Sequence, residues 1–189
     1  MGHAVERGRR YCHDDYRRWP EGERWELIDG VAVDMSPAPR VRHQDIVSNF
    51  HIRLKTHPGQ RCYTGIAPTD VVFDDHNVVQ PDVFLVCDRT KITPDNIRGA
   101  PDLIIEVVSP ATEVRDRREK KALYERFGVG AYVVAFPERE YIEYYHLENG
   151  RFVGPAIFNW DETLHLTTPE ISIPLREIFD KPPPGRHDA

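Results

Sequence analysis

The sequence predicts one α/β domain: a mixed β-sheet flanked by helices, with added antiparallel hairpins. Three observations carry this. Residues 101–136 read as strand, helix and strand in close succession, the pattern of a β-α-β crossover with parallel strands. Apolar runs meeting at Asp29-Gly30 and Asn149-Gly150 mark hairpins on either side of it. The chain has 189 residues, 40% hydrophobic and 30% charged, enough for one core and too few for two.

Taken in order, "HDDYRRW" predicts a short helix. "RWELIDGVAVDMS" predicts two short strands, because Asp-Gly supplies the positive φ angles of a tight turn. A helix follows from about Val41, with His43, Val47, Phe50 and Leu54 at helical spacing on one face. Residues 61–88 are β in pattern, with "RCYTG", "TDVVFDD", a turn at His76-Asn77 and then "VVQPDVFLVCD". Residues 89–100 read as a polar loop. Leu103–Val108 is a strand that breaks at Ser109-Pro110, and Thr112 is placed as the N-cap of the next helix. That helix runs to about Phe127 and stops at Gly128, where a left-handed residue suits its end. "AYVVAF" is the second crossover strand, and "EYIEYYHL" with "RFVGPAIF" forms the last hairpin. The domain is expected over residues 11–178, with 179–189 a disordered, Pro-rich tail.

Formal net charge is −6, which argues against attachment to nucleic acid through bulk positive charge and leaves room for a local basic patch. Three cysteines without a C-x-x-C pair predict a reducing compartment, no disulfide framework and no structural zinc. No apolar run reaches the length of a membrane span and the start lacks a signal-peptide core, so a cytoplasmic protein is expected.

One residue breaks the pattern. In "PDLIIEVVSP" Glu106 sits inside an otherwise apolar run that reads as a strand covered on both faces. A lone carboxylate there costs several kcal/mol unless neutralised or paired, roughly. Asp102 shares its face but lies about 13 Å along the strand, too far to ligate the same ion. Asp82 opens another apolar strand; side by side at roughly 5 Å, the two carboxylates would converge on a hard cation. On the crossover helix Asp116, Lys120, Leu123 and Phe127 share a stripe that Tyr124 adjoins, so Lys120 faces inward. Lys121 turns away toward Arg117, Arg118 and Glu125, which read as solvated. Two carboxylates, a divalent ion and a lysine suit phosphodiester cleavage: the ion lowers the pKa of a bound water, and the lysine stabilises developing charge. The same residues also make a structural ion pair, and spacing alone leaves both readings open.

"PD" at 81–82, "EVVSP" at 106–110, D-x-x-x-K-x-x-x-Y at 116–124 and "GV" at 128–129, with "WELIDG" and "SPAPRVRH" before them, resemble the Uma-two family. That family is placed in the PD-(D/E)XK, restriction-endonuclease-like superfamily, and the resemblance covers residues 11–178. It implies a restriction-endonuclease-like core and a divalent-metal-dependent endonuclease, with DNA as the expected substrate. Asp82 matches the motif's aspartate and Glu106 its acidic strand residue, both metal ligands for Mg²⁺ or Mn²⁺. The motif's own lysine position is Val108, so Lys120 on the following helix matches the family's displaced lysine. Glu26 in "WELIDG" matches a glutamate that completes the metal shell. Val133 stands where the family has Trp, a packing difference. The rival reading is a catalytically silent nuclease-fold module that binds nucleic acid or protein. A homodimer is expected, because duplex cleavage needs two sites and symmetric pairs are the commonest oligomers.

Other candidates read more plainly. His43, on the apolar stripe of its helix, is assigned to packing rather than catalysis. "RDRREKK" suits phosphate contact and a solvated helix face equally well, and "EYIEYYHL" reads as a sheet face or subunit contact. No histidine spacing suggests zinc.

Overall fold

Leu103–Val107, buried throughout, is an inner strand (β8) of a six-stranded mixed sheet. The computed structural model describes residues 8–182 apart from 21, 36–37, 59–60, 111 and 168. The first strands and helices are α1 (His13–Tyr16), β1 (Trp25–Ile28), β2 (Val31–Asp34), α2 (Val41–Thr56), β3 (Tyr63–Ile66), β4 (Val71–Asp74) and β5 (Asn77–Val79). After them come β6 (Val83–Val86), β7 (Ile97–Arg98) and β8. A helix then runs through α3 (Glu113–Arg115), a π turn (Asp116–Lys120) and α4 (Lys121–Phe127). The chain continues with β9 (Ala131–Phe136), β10 (Tyr141–Glu148), β11 (Arg151–Asn159), β12 (Thr163–Thr167), β13 (Glu170–Pro174) and α5 (Leu175–Ile178).

The main sheet has the order β11-β10-β9-β8-β6-β3. β8 and β9 are parallel, as a crossover helix between them requires, and β6 and β8 are antiparallel. Alternation along β8 divides the core. Leu103, Ile105 and Val107 face α2, the β12–β13 hairpin and α5; Ile104 faces α4 and the second sheet. That second sheet has the order β2-β1-β5-β4-β7.

Several expectations hold. Asp29 and Gly30 have φ of 51° and 76°, Asn149 and Gly150 have 51° and 77°, and both pairs turn hairpins. Gly128 ends α4 at φ 80°. Others change. The run "VVQPDVFLVCD" divides between two sheets, β5 in one and β6 in the other, at Pro81, which has no N–H for a ladder. Residues 89–100 hold a 3₁₀ turn (Arg89–Lys91) and β7 as well as loop. Thr112 makes no side-chain cap; its hydroxyl accepts the Ser109 N–H at 3.1 Å instead. The core extends past the expected boundary, because Phe179 is buried and Asp180 accepts from Asn49 at 2.9 Å. Residues 183–189 of the expected tail lie outside the described residues.

The cysteine reading is corrected. Cys62 and Cys87 form a disulfide across β3 and β6, next to the Tyr63–Val86 pair, and Cys12 is free. Residues 25 apart in sequence become neighbours only when those strands pair, which spacing does not reveal. No helix among the described residues is long and apolar enough to cross a membrane.

Candidate active site

The β6–β8 register pairs Val83 with Ile105 and Phe84 with Ile104. Carried one residue further, it sets Asp82 opposite Glu106. Antiparallel pairing therefore brings together two carboxylates that are 24 residues apart, as strand pairing was expected to do. Asp82 stands just outside β6, where its Oδ2 accepts the Val107 N–H at 2.8 Å. The same oxygen lies 3.3 Å from His43 Nε2, on the first turn of α2.

Lys120 comes down on Glu106 from the π turn. Its ammonium donates to Glu106 Oε1 at 3.0 Å and to Glu26 Oε1 at 2.8 Å, with Asp116 Oδ1 at 4.0 Å. Tyr124, one turn on, donates its phenol to the same Glu106 oxygen at 2.6 Å. The inward stripe of Asp116, Lys120, Leu123 and Tyr124 is thus the buried face of the helix. At the start of the π turn, Tyr132 OH from β9 donates to the Asp116 carbonyl at 3.0 Å. Glu26 arrives from β1 of the second sheet, and its Oε1 also accepts the Gln80 N–H at 3.0 Å.

Burial sets the electrostatics. Glu26, Glu106, Asp116 and Lys120 are 1%, 3%, 3% and 4% exposed. Burial holds the Glu106 carboxyl well above its ordinary value; Lys120 opposes this, and Asp116, Asp82 and Glu26 add to it. Burial likewise pushes Asp116 up to about 6 against the pull of Lys120. For Lys120 burial acts downward, but Glu106, Glu26 and Asp116 outweigh it and hold the amine as ammonium. Burial lowers His43 too, and the Asp82 carboxylate more than reverses that.

These groups line a cavity of about 300 Å³ that also borders Arg24, Arg40 and Arg115. All four sequence-predicted site residues, Asp82, Glu106, Lys120 and Glu26, line it. Three residues the sequence reading did not place there join them. Asp116 had a signal, its i−4 spacing from Lys120. His43 had been assigned to packing, and Gln80 had no signal, since its main-chain N–H acts. Asp102 stands apart, accepting the Cys87 N–H at 2.7 Å. Of the helix face read as solvated, Arg117 donates to buried Glu143 at 2.8 Å, and the Lys121 ammonium lies 4.6 Å from the Tyr145 ring centre.

Fit to a metal ion can be tested on the donors. Among the described residues no group of three or more His, Cys, Asp or Glu side chains is spaced to hold one. Lys120 fills the space between Glu26 and Glu106. Asp82 Oδ1 and Glu106 Oε2, however, receive no hydrogen bond among the described residues, and both carboxylates line the cavity. Two carboxylate oxygens suit Mg²⁺ or Mn²⁺, which commonly binds through one or two carboxylates and takes its other ligands from water and phosphate.

A family profile described as "Uma2: Putative restriction endonuclease" matches residues 13–176. The chain belongs to the Uma2 family. A crystal structure of "a putative nuclease belonging to DUF820" from Anabaena variabilis superposes with TM-score 0.72 at 18% identity. The match covers 88% of this chain and 96% of that one, and it shows a shared fold. An uncharacterised Synechocystis protein, slr1290, is 29% identical over 115 residues. That alignment takes in 59% of this chain, which spans about 60% of the length of that relative. The Uma2 match agrees with the resemblance read from the motifs, and the solved neighbour with the fold.

Proposed function

We propose that this Uma2 protein is a divalent-metal-dependent phosphodiesterase of the endonuclease type, acting on nucleic acid, with DNA as its substrate. The observation that carries the reading is the pairing of Asp82 with Glu106 in one cavity under Lys120. Asp82 and Glu106 would hold Mg²⁺ or Mn²⁺. The ion, when bound, supplies Lewis acidity toward a phosphoryl oxygen and an acidified water. Glu26 anchors Lys120 from the second sheet, so the ammonium is fixed before substrate arrives. A cation preorganised in a dry site stabilises developing phosphoryl charge without reorganising. Arg24, Arg40 and Arg115 border the cavity and can meet flanking phosphates. A two-fold pair of copies would present two such cavities to two strands.

One observation favours a second reading, a module that binds without cutting: Lys120 already pairs with both Glu26 and Glu106. Cleavage of plasmid, single-stranded DNA and RNA with Mg²⁺, Mn²⁺ or chelator separates the two. Metal-dependent cutting that disappears in Asp82→Asn supports the enzyme. Metal-independent binding without cutting in any condition supports the module.

A further inference from the structure

The two carboxylates that line the cavity are each tied by one oxygen. Glu106 Oε1 takes Lys120 and Tyr124, while Asp82 Oδ2 takes the Val107 N–H and meets His43. The opposite oxygen of each receives no hydrogen bond among the described residues. For Glu106 the tethers are expected from the motif; for Asp82 the side-chain tether is a histidine from another element. His43 sits at the cavity end of the α2 stripe formed by Ile46, Val47, Phe50 and Leu54, whose burial fixes where the ring lies. Its side chain is 11% exposed, and it lines the cavity. Nε2 lies 3.3 Å from Asp82 Oδ2, and an N–H at that nitrogen would face the carboxylate.

We infer that His43 is a positioning residue for Asp82. It holds Oδ2 back toward the strand end and so turns Oδ1 into the cavity as a divalent-cation ligand. This rests on the metal-dependent reading above. Asp82 stands just outside β6, beyond the last registered pair, so the ladder alone does not set its side chain. One main-chain N–H leaves the carboxylate free to rotate about that contact; a second donor from α2 removes the freedom. Outer partners that orient a ligating group typically change metal affinity or activity by 10–100-fold when removed, roughly. Nε2 faces Asp82 and Nδ1 is buried without a hydrogen-bond partner, so neither ring nitrogen opens on the cavity and His43 acts through Asp82.

The test is Mn²⁺ binding followed by loss of the free-ion paramagnetic resonance signal, with no substrate present. His43→Leu keeps apolar volume on α2 and removes the donor; His43→Gln keeps an N–H donor at similar reach. We expect His43→Leu to weaken Mn²⁺ binding about tenfold or more, and His43→Gln to stay within a few-fold of wild type. If His43→Leu does not fold, His43→Ala takes its place, and added imidazole should restore its Mn²⁺ affinity. Unchanged binding in His43→Leu, with binding lost in Asp82→Ala, would overturn the role of His43 and leave the metal site standing. Equal loss in His43→Leu and His43→Gln would make the imidazole itself the ligand and also overturn it. Wild-type protein that binds no Mn²⁺ through Asp82 would bring down the metal-dependent reading and this inference together.

Discussion

Replacing Lys120 with methionine removes the ammonium that Glu26 and Glu106 share and keeps most of the aliphatic stem. The three side chains are 4%, 1% and 3% exposed, and the ion pairs measure 2.8 and 3.0 Å, so solvent screens them little. Breaking a buried pair by deleting one partner costs about 3–5 kcal/mol, since the remaining charge is left without compensation. Here Glu26 and Glu106 both lose their cation, with Asp116 at 4.0 Å from the lost charge. A loss of about 4 kcal/mol is therefore expected near neutral pH, a large share of the roughly 5–15 kcal/mol that holds a domain together. With a urea slope of about 2 kcal/mol per molar, the midpoint should fall by about 2 M. Lys121→Met is the control. That ammonium is half-buried against Tyr145, at 4.6 Å from the ring centre, and such a contact contributes about 1 kcal/mol. Lys120→Met with Glu106→Gln should recover part of the loss by removing one of the two acids left without a cation. Cleavage, measured at a temperature where Lys120→Met remains folded, should fall by about 10²-fold or more. Equal urea midpoints for the two lysine variants would refute the reasoning, because both the helical register and the shared ion pair would then be wrong.

Asp116→Asn should stabilise the protein above pH 6. A carboxyl whose pKa is raised from 3.8 to about 6 favours folding while protonated and loses that contribution as pH rises through this window. The variant should match wild type near pH 4 and exceed it at pH 7 by on the order of 2 kcal/mol, read from denaturation at both pH values. Reducing the Cys62–Cys87 disulfide, or Cys87→Ser, should cost about 3 kcal/mol for a loop closed across 25 residues; peptide mapping with and without reductant checks the bond. For nucleic-acid binding, Arg24, Arg40 and Arg115 together replaced by Gln should flatten the salt dependence, by about 0.7 per lost phosphate contact on a single strand. Arg117 and Lys121, engaged by Glu143 and Tyr145, should leave that slope unchanged when replaced.

Local chemistry determined much of this protein directly from its sequence. Asp29-Gly30 and Asn149-Gly150 turn hairpins because few other residue pairs hold two positive φ angles in a row. Glu106 announced itself because a charge in an apolar strand demands a partner, and Lys120 because helical spacing set it on one stripe with Asp116 and Leu123. Those signals act within one element, over a few residues. The tertiary structure decided whatever depends on which elements meet. The strands on either side of Pro81 went to different sheets, because Pro81 ends one ladder and lets the next strand begin elsewhere. Cys62 and Cys87 became a pair only through the β3–β6 register, and Arg117, exposed as expected, gained its partner Glu143 only from β10. His43 read as a packing residue because its spacing matches its apolar neighbours on α2. Its charged partner, Asp82, lies 39 residues away beside β6, and a contact across that separation has no periodicity for a sequence to display.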